Sequence, residues 1–442
     1  MGVIPETTDV LVIGAGASGI PAAIGAARAG ARVLLVEEDA LPGGAAVDQY
    51  VSMPCGGPRS GVVSEILSRL EQDHALTHRP VDRWWGFWYL PCDVARVAEQ
   101  MLESESKITT VRSTRVEQLL VEEKSGRPRV TGALVPCRDG RVRAAQAKVV
   151  VEATGEGVLA ERAGCVSRYG EDSRADFGEE LAPAQRSDRV QQCTWMYISQ
   201  RIAGRGDAGA GWDPGGLASG GREMNARKAF ERGESPTPLR LHWGSRVDCS
   251  DTRDPAALGA AGREAMEQMK PKFDELGVHG WTMHLSPRLG VRETRRILGE
   301  YVITADDLIA GRVPEDSILV TLRGFDLWRR GRHQMQGYPP VRPYGLPYRA
   351  LVPRGVDGLL VVGKAMSGTH LAMSAYRSQT LLGQVGQAAG VAAAICARRA
   401  AQPRSLDFAD LGPALTAEPQ NMVIRSDAAW VDPQVVFARA EP

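Results

Sequence analysis

Gly14, Gly16 and Gly19 stand at GxGxxG spacing in the run Gly14-Ala15-Gly16-Ala17-Ser18-Gly19, and two acids, Glu37 and Glu38, follow. Those residue types at that spacing do one kind of chemistry well, which is to hold a dinucleotide. Gly14 permits a tight turn, Gly16 lets backbone approach a pyrophosphate, and Gly19 lets a helix press on a sheet. A helix that starts there turns its positive end toward phosphate charge. Glu37 can accept hydrogen bonds from a ribose diol, with Glu38 as the second acid in reach. The flanking runs supply the required elements. Asp9 to Ile13 is long enough for a buried strand, Ile20 to Ala29 reads as an Ala-rich helix capped by Gly30, and Arg32 to Val36 is a second strand.

Groups that could move protons or hold anions are fewer. His370 and His333 carry imidazoles, the side chain best suited by type to proton transfer near neutral pH. The segment from 287 to 309 carries Arg288, Arg292, Arg295 and Arg296, of which Arg292 and Arg296 are spaced to share a helical face. Such a cluster either forms surface ion pairs with Glu293 and Glu300 or sends one arginine into a site to hold a substrate carboxylate. The seven cysteines, at 55, 92, 137, 165, 193, 249 and 396, are scattered with no CxxC, which speaks against a disulfide framework or a metal site. Cys55, in SMPCGG, is the one placed to approach a bound ring.

The 442 residues are enough for two lobes, and 53 basic against 53 acidic residues leave a net charge of +0. That balance argues against nucleic acid as a partner. Residues 378 to 397 carry no charge and could span a bilayer by length. Gly383, Gly386 and Gly390 with Gln379, Gln384 and Gln387 make a buried, closely packed helix the better reading. No apolar signal segment precedes the first strand, so the expectation is a soluble, cytoplasmic protein with a small-molecule substrate and no membrane partner.

Along the chain, Gly43-Gly44-Ala45 follows the ribose acids, where an NAD domain would proceed to its next helix. Residues 58 to 72 read as an amphipathic helix, and Asp93 as the cap of a helix running to about Ser104. The aromatic run WWGFWYLP (84 to 91) invites comparison with the W-x-W-x-I-P signature of flavin halogenases, but the tryptophan spacing differs and the nearest lysine, Lys107, lies well beyond it. Residues 108 to 152 alternate as short strands and end in VVVEATGEG, a strand feeding a glycine turn. Residues 203 to 222 are rich in Gly and Asp and read as a mobile loop. Helical signal returns at Asp254 to Leu276, and a last strand, Leu359 to Val362, runs into Gly363-Lys364.

Taken together, GAGASG (14 to 19), VEEDALPGG (36 to 44), VVVEATGEG (149 to 157), RLGVRETRRILGEYVIT (288 to 304), LPYRALVP (346 to 353), LLVVGKAMSGTHLAMSAYR (359 to 377) and GQAAG (386 to 390) resemble the FAD-dependent oxidoreductase family, within the glutathione-reductase-like flavoproteins. Glu156 stands where the family commonly has Asp, and Ala375 where Ser is common. The resemblance implies a two-lobed α/β protein with a parallel Rossmann-like sheet, a β-meander and a mixed α+β substrate lobe. Expected boundaries are 1–164 and 341–400 for the FAD-binding domain, 165–340 for the substrate lobe and 401–442 for a C-terminal extension.

The resemblance further implies noncovalent FAD, held by residues 14 to 19, Glu37, Glu38, Gly43, Gly44, Ala45, Val116, Ala153, Thr154, Gly155, Gly363, Lys364, Gln379, Thr380 and Leu381. The last helix would point its N-terminus at the flavin pyrimidine and stabilise negative charge there. His370, seven residues before Arg377 in the segment aimed at the ring, is the first candidate base, and His333 the second. Arg349, Tyr348, Arg292, Arg377 and Cys55 are candidates to orient the substrate. The expected activity is dehydrogenation or oxidation of a small organic compound. A monooxygenase using NAD(P)H is the alternative enzyme reading, and a non-catalytic flavin-binding protein the alternative of another class.

Overall fold

The computed structural model describes residues 4–57, 59–72, 88–124, 126–137, 139–202, 239–329 and 337–425. His333, the Gly/Asp-rich run from 203 and most of the aromatic run at 84–91 lie outside the described residues. The central sheet is built from β1 (Thr7–Ile13), β2 (Val33–Val36), β3 (Ile108–Val111), β4 (Gln118–Lys124), β5 (Arg127–Pro136) and β6 (Val142–Glu152), in the order β3-β2-β1-β6-β5-β4. β1 runs parallel to β2 and β6, while β4, β5 and β6 form an antiparallel meander.

β6 belongs to both halves. Along one edge it pairs antiparallel with β5 through Val142 to Gln146, then parallel with the strand Leu359–Val361 through Val150 to Glu152. Its sequence changes period to match. Residues 142 to 148 are largely exposed, with Ala145 and Ala147 turned inward, whereas Val149 to Glu152 are all buried. Alternation suits a half-solvated antiparallel strand, and a continuous apolar run suits a parallel strand covered on both faces.

One cover is the helix Gly19–Arg28, buried from Gly19 to Ala27. Packed on it is the helix Gln379–Arg399, whose apolar window is buried throughout. A Cβ added at Gly386 would collide with the Ser18 carbonyl oxygen, and one at Gly390 with that of Ala22. The glycines are there because two helix backbones pass where a side chain would not fit.

The second lobe centres on a three-stranded antiparallel sheet with Tyr197–Arg201 between Leu239–His242 and Trp281–Leu285. The helix Pro255–Val278, capped by Asp254 through the Ala256 amide, packs against it through Met269 and Leu276. Ile303 to Leu327, which the sequence reading assigns to the substrate lobe, pack in the same core as the helix Gly19–Arg28.

Two local expectations fail. The helix expected to start from Asp93 runs Pro91–Ser104 with Leu90 as its cap, because the fixed φ of Pro91 suits the first helical position. Residues 290 to 297 are extended rather than helical, with Gly290 bridged to Thr194 and Arg296 to Arg168, so Arg292 and Arg296 share no helical face.

Gly386→Ala should lower stability by about 1–3 kcal/mol, the range for overpacking a close contact, and chemical denaturation would detect it. A second outcome concerns Glu152, which is fully buried at the end of β6 and accepts from the Ala160 amide at 2.7 Å. Burial pushes its carboxyl up to about 7, against the opposing bonds from Ala160, Thr154 and Leu159. Its folded value lies above the unfolded 4.5, so the stability it contributes is complete below pH 4.5 and lost as pH rises to 7. Glu152→Gln should flatten that decline in urea titrations across the same window.

Candidate functional site

Between the lobes lies a cavity of about 640 Å³. Its first-lobe wall is made by Gly14, Gly16, Ala17 and Ser18 at the start of the first helix, by Glu37 and Glu38 after β2, and by Thr114 to Val116. Gly44 and Ala45, Ala153 to Glu156, and Gly363, Lys364, Arg377, Gln379 and Leu382 continue it. The second lobe contributes Thr194, Trp195, Met196, Trp243 and Arg292.

The glycine loop is held by its neighbours. Gly14 has φ +99, and a Cβ there would lie 2.7 Å from the Ala153 carbonyl oxygen. Its amide donates to the Val36 carbonyl at 2.8 Å, and the Gly43 amide donates to the Ala15 carbonyl at 2.8 Å. A Cβ at Gly19 would strike the Gly14 carbonyl, so these glycines serve packing within the loop. Gly16 differs. A Cβ there would meet nothing closer than the Gly44 Cα at 3.8 Å, which leaves its open side to the cavity.

Glu37 is buried, and its carboxylate accepts from the Ala15 amide and from the Asp39 amide at 2.9 Å. Burial pushes its carboxyl up, against those two bonds. Each carboxylate oxygen still has a lone pair to offer. Glu38 is engaged instead with Arg288 at 2.8 Å and Arg115 at 3.4 Å. Of the two acids, Glu37 is therefore the one with acceptor capacity toward a ribose.

The cavity also carries cations from both lobes, Arg292 from the second and Arg377 and Lys364 from the first. Arg292 donates through Nη1 to the Gln192 carbonyl at 2.6 Å and to Thr194 Oγ1 at 2.7 Å. Its guanidinium lies 4.5 Å from the Trp328 ring and 5.5 Å from that of Trp243. Burial, with Arg377 adding to it, brings its pKa down to about 9. Arg377 is paired with Asp326 at 3.1 Å, and Lys364 Nζ donates to the Val291 carbonyl at 2.7 Å. Burial lowers both of these cations' pKa values as well. Asp326 stays below the ordinary carboxylate range although burial opposes it, because Arg377 and Arg323 stand beside it.

Several expected site residues do not line the cavity. His370 is buried, with Nδ1 2.8 Å from Glu293, Nε2 3.4 Å from Arg329, and its amide donating to Asp172. Glu293 and Asp172 also pair with Arg296, making one buried ionic cluster behind the wall. The Tyr348 hydroxyl donates to the Pro403 carbonyl at 2.9 Å, and Arg349 is exposed and paired with Asp316 at 3.0 Å. Thr380 donates to the Cys55 carbonyl, and Leu381 is core. Sequence reading passed over Trp195, Met196 and Trp243, whose positions carry no local signal.

A family model described as FAD dependent oxidoreductase matches residues 9–415. The alpha subunit of sarcosine oxidase from Rhizobium meliloti (strain 1021) is 67% identical over 36 residues, which span 8% of this chain and 4% of that protein. Among solved structures, the Mycobacterium smegmatis Sdh1 complex in its apo form is similar with a TM-score of 0.43 and 16% identity, over 93% of this chain and 72% of that one. A geranylgeranyl bacteriochlorophyll reductase-like protein from Thermoplasma acidophilum has a TM-score of 0.46 and 12% identity, over 93% and 83%.

The residues present fit the cofactor that the family uses. Gly16 leaves room for a pyrophosphate at a helix start, and Glu37 offers acceptors to a ribose. Gly16→Val should abolish flavin binding by filling that space, read as a colourless purified protein that FAD does not reconstitute. Glu37→Ala should weaken FAD affinity roughly ten-fold or more, the scale of a charge-assisted bond, on titration of the apoprotein. With the match over residues 9–415, the Rossmann-like sheet and this cradle, the chain belongs to the FAD-dependent oxidoreductase family and uses FAD.

Proposed function

We propose that the chain is a dehydrogenase or oxidase that removes a hydride and a proton from a small organic substrate. FAD, when bound, supplies the acceptor for the electron pair. The observation that supports this reading is the single cavity in which the nucleotide cradle continues into a wall carrying Lys364, Arg292 and Arg377. Arg292 and Arg377 bind and orient. Trp195, Met196 and Trp243 exclude water from that side.

The substrate's proton needs an acceptor, and the cavity-lining group suited to it is Lys364. Burial lowers its pKa and so disfavours the ammonium relative to the amine that can accept a proton. His370 sits behind the wall between Glu293 and Arg329, where its ring orients those partners more readily than it meets a substrate.

Anaerobic mixing with substrate should bleach the flavin band without NAD(P)H, and a panel of acids, amines and alcohols is the means to find that substrate. Lys364→Met should slow the bleaching, read per bound flavin, by about 10²- to 10⁴-fold, and His370→Gln by far less. Slowing by His370→Gln alone would return the role to His370. Bleaching by NADPH and by no compound in the panel would favour the monooxygenase.

A further inference from the structure

We infer that the second-lobe wall of the cavity is a carboxylate clamp, so that the substrate is an organic acid bound through Arg292 with its apolar body against Trp243. The inference rests on the dehydrogenase reading above and names its substrate class.

Arg292 is 8% exposed and lines the cavity. Among the described residues no carboxylate pairs with it. The neighbouring arginines are satisfied differently: Arg296 has Asp172 and Glu293, and Arg377 has Asp326. Asp326 stands within electrostatic reach of Arg292 but is shared with Arg377 and Arg323, and one carboxylate, a carbonyl, a hydroxyl and two ring faces offset only part of the cost of burying three guanidiniums. The remaining negative charge is therefore expected from a ligand.

The geometry that remains matches a carboxylate. Nη1 is used by Gln192 and Thr194, which leaves the Nε and Nη2 edge of the fork for a second planar group. The tryptophan rings at 4.5 and 5.5 Å hold the guanidinium plane, so little freedom is lost on binding. Arg377, which lines the same cavity, has its Nε buried with no partner among the described residues. Trp243 and Met196 beside them give the ligand an apolar surface, which an inorganic anion would not use.

The test uses the purified FAD-bound protein, titrated with benzoate, with benzamide and with inorganic phosphate, followed by calorimetry and by perturbation of the flavin spectrum. Benzoate should bind at least ten-fold tighter than benzamide, and phosphate should not compete at equal concentration. Arg292→Met should erase the benzoate preference while FAD content stays the same, and Arg292→Lys should keep part of it. Equal binding of benzoate and benzamide by the unmodified protein would overturn the clamp, and needs no variant to be read. Unchanged benzoate affinity in Arg292→Met, or displacement by phosphate, would overturn it as well. The two readings separate cleanly. Benzoate bound through Arg292 with no compound bleaching the flavin leaves the clamp standing and removes the dehydrogenase, whereas bleaching by neutral compounds without acid binding does the reverse.

Discussion

The contact on which the rest of the molecule depends is the backbone-to-backbone approach of two helices, Gly19–Arg28 and Gln379–Arg399. Gly386 faces the Ser18 carbonyl and Gly390 that of Ala22. Close packing of this kind gains dispersion over many atoms and tolerates no intervening side chain. Its functional yield is positional. The first helix begins in the glycine loop and the second begins at Gln379, and both starts reach the one cavity. Two positive helix ends are thereby set into a single space by a contact well behind it.

Electrostatics divides that space into unlike halves. The first-lobe side offers acceptors, since Glu37 is held by two backbone amides and Glu38 is neutralised by arginines. The opposite side offers donors, with Arg292 from the second lobe and Arg377 and Lys364 from the first, and Asp326 pairs with Arg377. Behind the wall, Glu293, Asp172, Arg296 and His370 form a buried network in which each charge has a partner. Such a network fixes the wall's shape. It also explains why His370, attractive by residue type, is committed elsewhere.

How much of this the sequence discloses depends on the range of the interaction. The glycine loop, Glu37 and the uncharged helix are legible because spacing within a few residues sets their geometry. The strand that ends β6 in a glycine turn is legible for the same reason. Extended structure at 290 to 297 is not, since arginines four apart suit a helix and only the pairing of Gly290 with Thr194 and of Arg296 with Arg168 decides otherwise. The surroundings of Arg292 are hidden too. Trp243, Trp328 and Thr194 come from distant segments that only the folded chain brings together.

The shared edge of β6 bears on how the protein is made. Val150 to Glu152 emerge from synthesis early, yet the strand that covers them, Leu359–Val361, and the glycine-rich helix after it come some two hundred residues later. Until then the nascent chain presents a short apolar parallel edge and the bare face of the first helix, the kind of surface on which unfolded chains associate. Pairings so far apart in sequence also form slowly, because a long loop must close first. A fragment ending before residue 359 would thus contain every glycine of the nucleotide loop and still have no finished lobe to carry it.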